Sequence, residues 1–250
     1  MRYAFFLLLL ALVICLAHPM SNSLDAAAAG NTDEETVSEL LDEIHDTLWH
    51  DAEPTKNIEP QFAKLPNELK SEKNILRAAE LHKLAAMSYY FERREDRERL
   101  MSSHLSQSVA YARQLLTPAK LAAFEVEISA ELVKKGMAKL ALPLLQDATE
   151  AYEHAGMGDS VEMADTKQEF GINLALVLAS SEVCVVVGDH KLGWSSFLKL
   201  LKEAELIYKK QGKSAQAFSC RSAKGQIFEQ YGKDLPGDTV DPSALDWYQY

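Results

Sequence analysis

The 250-residue chain is poor in the residues that interrupt or cross-link a fold. It contains 11 glycines, 8 prolines and 3 cysteines, and most of the glycines and prolines lie between segments of periodic hydrophobicity. Sandwiches and barrels need a turn every 8–12 residues or so, so this composition argues against them. It favours an all-α chain of long helices with short connections.

Positive charge is also scarce. The chain has 26 Lys and Arg against 37 Asp and Glu, a net charge of −11, and from residue 24 onward the balance is −12. Phosphate groups repel such a protein, and no basic stripe offsets the repulsion. The charge pattern therefore excludes nucleic acid as an expected partner, and the same argument disfavours anionic lipid surfaces.

Motifs of catalysis are missing as well. The sequence contains no Gly-x-Ser-x-Gly elbow, no phosphate-binding glycine loop and no His-Glu-x-x-His, the arrangements that mark common hydrolases, nucleotide-binding proteins and zinc peptidases. Glu39, Glu43, Asp46 and His50 share one face of a predicted helix, a possible metal site, although a solvated acidic face has the same pattern. We expect no enzyme activity, cofactor or metal. A site assembled from distant residues is the alternative.

The N-terminus has the order of a secretory signal. Arg2 is followed by an uninterrupted apolar run of 15 residues, from Tyr3 to Ala17, which His18 and Pro19 end. The run is shorter than the roughly 20 residues of a membrane span. We predict a signal peptide at residues 1–23, export to the periplasm or outside the cell, and no membrane span after its removal. An uncleaved N-terminal anchor is the alternative.

Signals for helix ends divide the remaining chain. After a flexible leader at residues 24–31, Thr32 and Glu35 form a capping box that opens the first helix. Thr117-Pro118 and Asp159 with Glu162 mark two further helix starts. A turn is expected between residues 93 and 103. Residues 172–187 form an apolar run, which predicts a buried helix. Three prolines between the first two helical segments predict a linker. The prolines of the linker are Pro54, Pro60 and Pro66.

Three glycines, Gly136, Gly188 and Gly232, are predicted to end helices, because glycine adopts the left-handed conformation at little cost. Each follows a larger residue by one helical turn, and the first two precede a small residue and then a bulky one. This alternation lets two antiparallel helices approach closely. The large residues are Leu132, Cys184 and Phe228; the small ones are Ala141 and Gly193; the bulky ones are Leu145 and Phe197.

A related pattern recurs twice. Ala148, Tyr152 and Gly156 have the same spacing as Ala204, Tyr208 and Gly212, which places each tyrosine one turn before a glycine. The two cysteines that would remain after signal removal, Cys184 and Cys220, both fall in predicted helices. We expect buried free thiols, with a disulfide between them as the alternative.

These junctions resemble tetratricopeptide helical hairpins, and Ala86 with Tyr89 and Gly225 with Phe228 match the pre-turn pair of that family. The spacing departs from it, since the junction glycines are 52 and 44 residues apart rather than about 34. The resemblance implies antiparallel hairpins stacked as a short solenoid over residues 32–233. It also implies a groove lined by the first helix of each hairpin. The matching groove positions are Lys83, Tyr90, Lys134, Glu182, Gln226 and Glu229.

The resemblance implies a non-catalytic module that binds a protein or peptide segment, and the N-terminal signal predicts that it is exported. A helical small-ligand carrier or enzyme is the alternative.

Residues 234–250 lack helical periodicity and end in an aromatic tail with Trp247, Tyr248 and Tyr250. We expect this tail either to fold back over the apolar surface near Phe228 or to remain mobile.

Overall fold

The computed structural model describes residues 34–51, 54–92, 95–180 and 184–231. The predicted signal peptide, the leader, Thr32, Glu182 and the aromatic tail lie outside these described residues. Helices account for 78% of the described part, which confirms the all-α prediction. They are α1 (Glu34–His50), α2 (Pro54–Phe62), α3 (Glu72–Tyr89), α4 (Arg97–Arg113), α5 (Pro118–Lys134), α6 (Ala138–His154), α7 (Val161–Ala179), α8 (Trp194–Lys210) and α9 (Ser214–Tyr231).

Neighbouring helices form hairpins. The most extensive contacts join α3 to α4, α5 to α6 and α7 to α8, while α9 packs mainly on α8. Helices α1 and α2 pack on each other and on α3. Because α3–α4 and α5–α6 are joined by short turns, the two helices of each pair are antiparallel. The turn between α3 and α4 follows Tyr89, slightly before the expected position.

Three helices end at a glycine in the left-handed conformation, as predicted for Gly136, whereas Gly232 lies outside the described residues. Gly136, Gly156 and Gly212 have φ angles of 75°, 73° and 69°, in the left-handed region that glycine tolerates. In each case the amide after the glycine donates to the carbonyl five residues earlier, the bond of a Schellman cap. These pairs are Met137 with Leu132, Met157 with Tyr152 and Lys213 with Tyr208, at 2.8–2.9 Å.

The buried faces follow the predicted small and large residues. Leu132, Ala141 and Leu145 are fully buried between α5 and α6, and Phe197 of α8 is buried as well. The recurring Ala–Tyr–Gly pattern also contributes to the core. Its alanines and tyrosines belong to a second apolar cluster that joins the C-terminal helices. They are Ala148, Tyr152, Ala204 and Tyr208.

The prediction of a helix from residue 172 to 187 is wrong for its last residues, because the described helix ends at Ala179 and Val185–Val187 are extended. Val185–Val187 and His190–Leu192 form strands β1 and β2 of an antiparallel ribbon, with Val187 opposite His190. Gly188 has a φ of 56°, but it lies in the two-residue turn of this ribbon and ends no helix. Three consecutive valines favour a strand, since branched side chains fit a pleated backbone better than a helix.

Other boundaries also differ from the sequence-based expectations. The predicted proline linker contains α2, with Pro54 at its first position and Pro60 inside it. The cap of α7 is Ser160, whose hydroxyl accepts from the Met163 amide at 3.1 Å, and Asp159 precedes it.

Both described cysteines are free: Cys220 is buried, whereas Cys184 is half-buried and lies outside any helix. No helix of the described residues has the length and apolar character needed to cross a bilayer.

Candidate functional site

The ends of two hairpins form a pocket of about 510 Å³, here called the turn pocket. One side comes from the end of α3 and the start of α4, and the other comes from the α5–α6 turn. The Schellman cap at Gly136 fixes the second side, because it sets the angle at which the chain enters α6. The lining residues are Tyr90, Phe91, Glu92, Arg97, Glu98, Lys135, Gly136, Met137, Lys139 and Leu140.

Aromatic rings and a cation meet in the turn pocket. Tyr90 and Phe91 lie edge to face with ring centroids 5.1 Å apart. The Lys135 ammonium is 4.9 Å from the centroid of Tyr90 and 5.0 Å from that of Phe91, a cation–π arrangement. The side chain of Phe91 is 76% exposed. The pocket therefore presents an apolar ring and a positive charge side by side.

Arg97 holds the backbone of this pocket. Its guanidinium donates to the carbonyl oxygens of Tyr90, at 3.3 Å, and of Glu92, at 3.5 Å. Carbonyls at a helix C-terminus have no partner within the helix, so these bonds satisfy them and fix the chain after α3. Arg97 therefore holds the backbone on both sides of Phe91.

Among the groove positions implied by the family resemblance, Tyr90 lines the turn pocket and Lys134 is an exposed residue at the end of α5, next to Lys135. Gln226 and Glu229 are exposed on α9, which packs on α8 and α7. Glu182 lies outside the described residues. The structure therefore brings Tyr90 and Lys134 to the same region of the stack and places Gln226 and Glu229 on a different helix pair.

Lys83 bridges two hairpins. Its ammonium pairs with Glu80 at 3.0 Å and with Glu127 of α5 at 3.2 Å, and it lies 5.8 Å from the centroid of the Phe124 ring. Burial opposes its charged form, but the hydrogen bonds and charges of both glutamates outweigh burial and raise the pKa of Lys83. These contacts give Lys83 a structural role between α3 and α5.

A buried polar network escaped the sequence analysis. His82 of α3 and His104 of α4 face each other with their Nδ1 atoms 2.8 Å apart. Nε2 of His104 lies 2.8 Å from Glu59 of α2, and the Tyr89 hydroxyl donates to the same carboxylate. The ring of Phe62 packs against both histidines. The two histidines are 22 positions apart, so no spacing rule within one helix finds them.

The donors and acceptors of this network follow from the chemistry of its groups. A carboxylate only accepts hydrogen bonds, so Nε2 of His104 carries a proton and donates to Glu59. If His104 is neutral, its Nδ1 accepts from the Nδ1–H of His82. Burial and the nearby His104 lower the pKa of His82 to about 3. The hydrogen bond from His104 holds the pKa of Glu59 below its usual range despite partial burial.

This network offers no obvious reactive surface, since both histidines are buried and their neighbours are aromatic side chains. Within the described residues, no group of three or more His, Cys, Asp or Glu side chains is arranged to hold a metal ion. The described contacts of the network join α2, α3 and α4 to one another. Its evident effect is to fasten α2 to the first hairpin.

The comparisons with known proteins add no relative. No protein-family model, no curated protein and no solved structure matches the chain. The helical-hairpin architecture is therefore a finding of the structure, and the relation to tetratricopeptide proteins stays a prediction from the residues quoted above.

Proposed function

We propose that the chain is an exported, non-catalytic helical-repeat protein that binds a segment of another protein at the turn pocket. The observation that supports this proposal is the exposed ring of Phe91 with Tyr90 beside it and the Lys135 ammonium over both. Exposed aromatic residues flanked by polar groups are typical anchors of protein interfaces. The order of residues at the N-terminus supports export.

The chemistry of the pocket suggests the character of the bound segment. An apolar side chain would pack on Phe91, and an acidic group would pair with Lys135. The described contacts of Lys135 are with the two rings, and no carboxylate of the described residues pairs with its ammonium. A segment that carries an apolar residue next to Asp or Glu therefore matches both features.

The test places a photoreactive benzophenone side chain at position 91 and, as a matched control, at Phe218, which is 65% exposed on α9. The full chain is irradiated in an extract of its own cell envelope. We expect one protein to cross-link at position 91 and not at position 218. In a direct binding assay, Phe91→Ala should weaken that partner about tenfold or more, as is common for aromatic interface anchors, and Phe218→Ala should leave binding unchanged.

Two results would argue against the proposal. One is the same set of cross-linked proteins at both positions, which indicates background reactivity. The other is a Phe91→Ala variant that binds the captured partner as tightly as the unmodified chain. Lys135→Gln supplies an independent check, because loss of the ammonium should reduce affinity most for partners with an acidic residue beside the anchor.

A further inference from the structure

The buried network of Glu59, His82, Tyr89 and His104, here called the histidine network, has one end at the surface. His82 and His104 are 5% and 4% exposed, and Tyr89 is fully buried. The side chain of Glu59, by contrast, is 44% exposed. Glu59 of α2 is therefore the point at which the network meets solvent.

The contact between the two histidines limits how many protons the network can hold. The Nδ1 atoms of His82 and His104 are 2.8 Å apart, and a hydrogen bond between them has room for one proton. If both rings were imidazolium ions, each Nδ1 would carry a hydrogen, and the two N–H groups would point at each other. The closed network therefore holds at most one imidazolium ion.

Opening of the network removes this limit. A solvated histidine has a pKa of about 6.5, so at pH 5 both released rings take a proton from the solvent. The open form thus binds at least one proton more than the closed form. Its population rises about tenfold per additional proton for each pH unit below about 6.5. The pKa of His82, which burial and then His104 lower to about 3, agrees with this count.

The groups that face the histidines from the packed helices fix the sign of the acid response. Tyr111 of α4 stacks on His82, and burial raises its pKa to about 12, so it stays neutral in acid. Glu59 of α2 favours the charged form of His82. Its own pKa is held below the usual range, so Glu59 is still ionised where opening begins. Two carboxylates of α1 have other partners on α3: Arg77 for Asp42 and Asn74 for Glu34.

Tyr89 connects the histidine network to α2. Its hydroxyl donates to the carboxylate of Glu59 and, at 3.3 Å, to the carbonyl oxygen of Thr55. Its ring stacks on that of His104, with the centroids 5.7 Å apart. Because Glu59 and Thr55 both belong to α2, release of that helix removes these two hydroxyl contacts and leaves the ring of Tyr89 less firmly held.

The turn pocket begins directly after Tyr89, the last residue of α3. Tyr90 and Phe91 follow it in the chain and line the pocket. Their amides donate to carbonyl oxygens in the last turn of α3 at 3.3 and 3.4 Å, longer than most backbone hydrogen bonds. Since these bonds are weak, the position of the two rings depends on Tyr89 before them and on the contacts of Arg97 around them.

We propose that the histidine network makes the turn pocket sensitive to acid. As the pH falls below about 6.5, proton uptake by the released histidines detaches α2, the hydroxyl of Tyr89 loses its contacts, and the rings of Tyr90 and Phe91 lose their fixed position. A partner that binds the turn pocket at neutral pH is then released in acid. The effect on a partner rests on the proposed function, whereas the movement of Phe91 does not.

The experiment places 4-trifluoromethylphenylalanine at position 91 of the full chain and follows its fluorine-19 resonance from pH 7.5 to 4. This side chain keeps an aromatic ring in the turn pocket and reports on its surroundings without any partner. We expect the resonance to shift and to narrow in acid as the ring becomes mobile. The same label at Phe218, which is 65% exposed on α9, is the matched control and should change little.

Hydrogen exchange shows whether the opening is local. Protection factors, which correct for the intrinsic pH dependence of exchange, are compared for α2 and α8 over the same pH range. We expect protection in α2 to fall about tenfold per pH unit once opening is coupled to one additional proton, while α8 keeps its protection. Loss of protection in both helices at the same pH would mean that acid unfolds the whole stack, which overturns the proposal.

Two variants separate the histidines from their connection to the turn. His82→Gln places no limit on the charge of His104, so α2 and position 91 should both respond less to acid. Tyr89→Phe keeps the stacked ring and loses the hydroxyl. Its label at position 91 should already show part of the acid shift at pH 7, while α2 still opens in acid. His154→Gln, an exposed histidine outside the network, should match the unmodified chain, and circular dichroism at pH 7 verifies that each variant is folded.

Binding of the partner captured at position 91 tests the consequence. Its affinity should be weaker by about tenfold or more at pH 5 than at pH 7, as expected when nine molecules in ten are open, and His82→Gln should retain most of the affinity at pH 5. If no protein is captured, the proposed function fails, and the fluorine and exchange measurements still decide on the network. The proposal is overturned if position 91 does not respond while α2 opens, if His82→Gln responds like the unmodified chain, or if a captured partner binds equally at both pH values.

Discussion

At the scale of the single residue, Gly136 determines where α5 ends. Its φ is 75°, and no atom lies within 4 Å of the position that a Cβ would occupy. A side chain at this position would therefore meet backbone strain and no crowding. We expect Gly136→Val to lower the free energy of unfolding by about 1–2 kcal/mol, because a branched residue resists the left-handed region. Urea unfolding followed by circular dichroism measures this difference.

Gly158 is the matched control for that substitution. It also has open space around its Cβ position, but its φ lies outside the positive range. Gly158→Val should therefore leave the midpoint almost unchanged. Equal midpoints for the two variants would mean that backbone conformation at Gly136 contributes nothing to the junction.

A glycine in the sequence was not sufficient to predict whether a helix or a strand ends there. It correctly predicted the left-handed end of α5 at Gly136, yet at Gly188 the same residue type makes the turn of a strand ribbon. The difference lies in the preceding residues, because the valines before Gly188 favour an extended backbone. Burial of Glu125 could not be predicted at all, because the sequence of a helix does not show that the fold will bury one of its charged residues.

At the scale of the element, acid should loosen the attachment of α2. The pKa of His82 is lowered from its ordinary value of 6.5 to about 3, so the unfolded chain binds a proton at this residue before the folded chain does. The resulting stability is complete above about pH 6.5 and is lost as the pH falls toward 3. The lowered pKa of Glu59 extends this loss at the acid end, because its stability is present above about pH 4.5 and disappears below that value.

We expect His82→Gln to reduce this acid sensitivity, since glutamine keeps a hydrogen-bonding group but does not titrate. The melting temperature of the unmodified chain should fall more steeply between pH 6.5 and 4 than that of the variant. His154→Gln replaces an exposed histidine outside the network and should follow the unmodified chain. Parallel curves for all three proteins would exclude His82 as the cause.

Ion pairs of a buried carboxylate join helix α9 to α8. Glu205 of α8 is 7% exposed and pairs with Lys209 and Lys224 at 2.8 Å and with Arg221 at 3.3 Å. Lys224 is itself buried. Because removal of one partner leaves a buried charge unpaired, we expect Glu205→Gln to cost on the order of 3 kcal/mol and to speed hydrogen exchange in α9.

An exposed ion pair provides the control for Glu205. Lys210 and Asp159 are 2.8 Å apart, with side chains 63% and 67% exposed. Lys210→Gln should cost about 0.5 kcal/mol, as is usual for solvated pairs, and leave exchange in α9 unchanged. Similar losses for the two variants would show that burial does not strengthen the Glu205 contacts.

Element prediction was least successful where proline was treated only as a helix breaker. Pro54 takes the first position of α2, where its missing amide has no cost. Ile58 and Phe62 of that helix are buried, and Glu59 beside them joins the histidine network. The apolar spacing in this short segment is too brief to stand out from a loop, so the element depends on contacts made by distant helices.

At the scale of the whole molecule, two apolar clusters extend across the hairpins. A single cluster of buried apolar residues extends from Val37 of α1 to Leu201 of α8, and a second cluster links α5 through α9. The alternation of small and large residues around Gly136 correctly predicted the α5–α6 hairpin. It could not predict which distant residues meet, because Glu59, His82 and His104 come together only when three helices pack.

This continuity predicts cooperative unfolding across the stack. Ile44 of α1 is fully buried, and Ile44→Ala should cost about 2–5 kcal/mol through lost burial and a residual cavity. Trp194, buried at the start of α8, reports on the other end of the core, and Trp49→Phe with Trp247→Phe would make it the only tryptophan, which is excited selectively at the red edge of protein absorption. If the shared cluster couples the helices, Ile44→Ala lowers the Trp194 fluorescence midpoint as much as the midpoint from circular dichroism. Independent repeats, which unfold stepwise, would instead leave the Trp194 midpoint unchanged while circular dichroism shows two transitions.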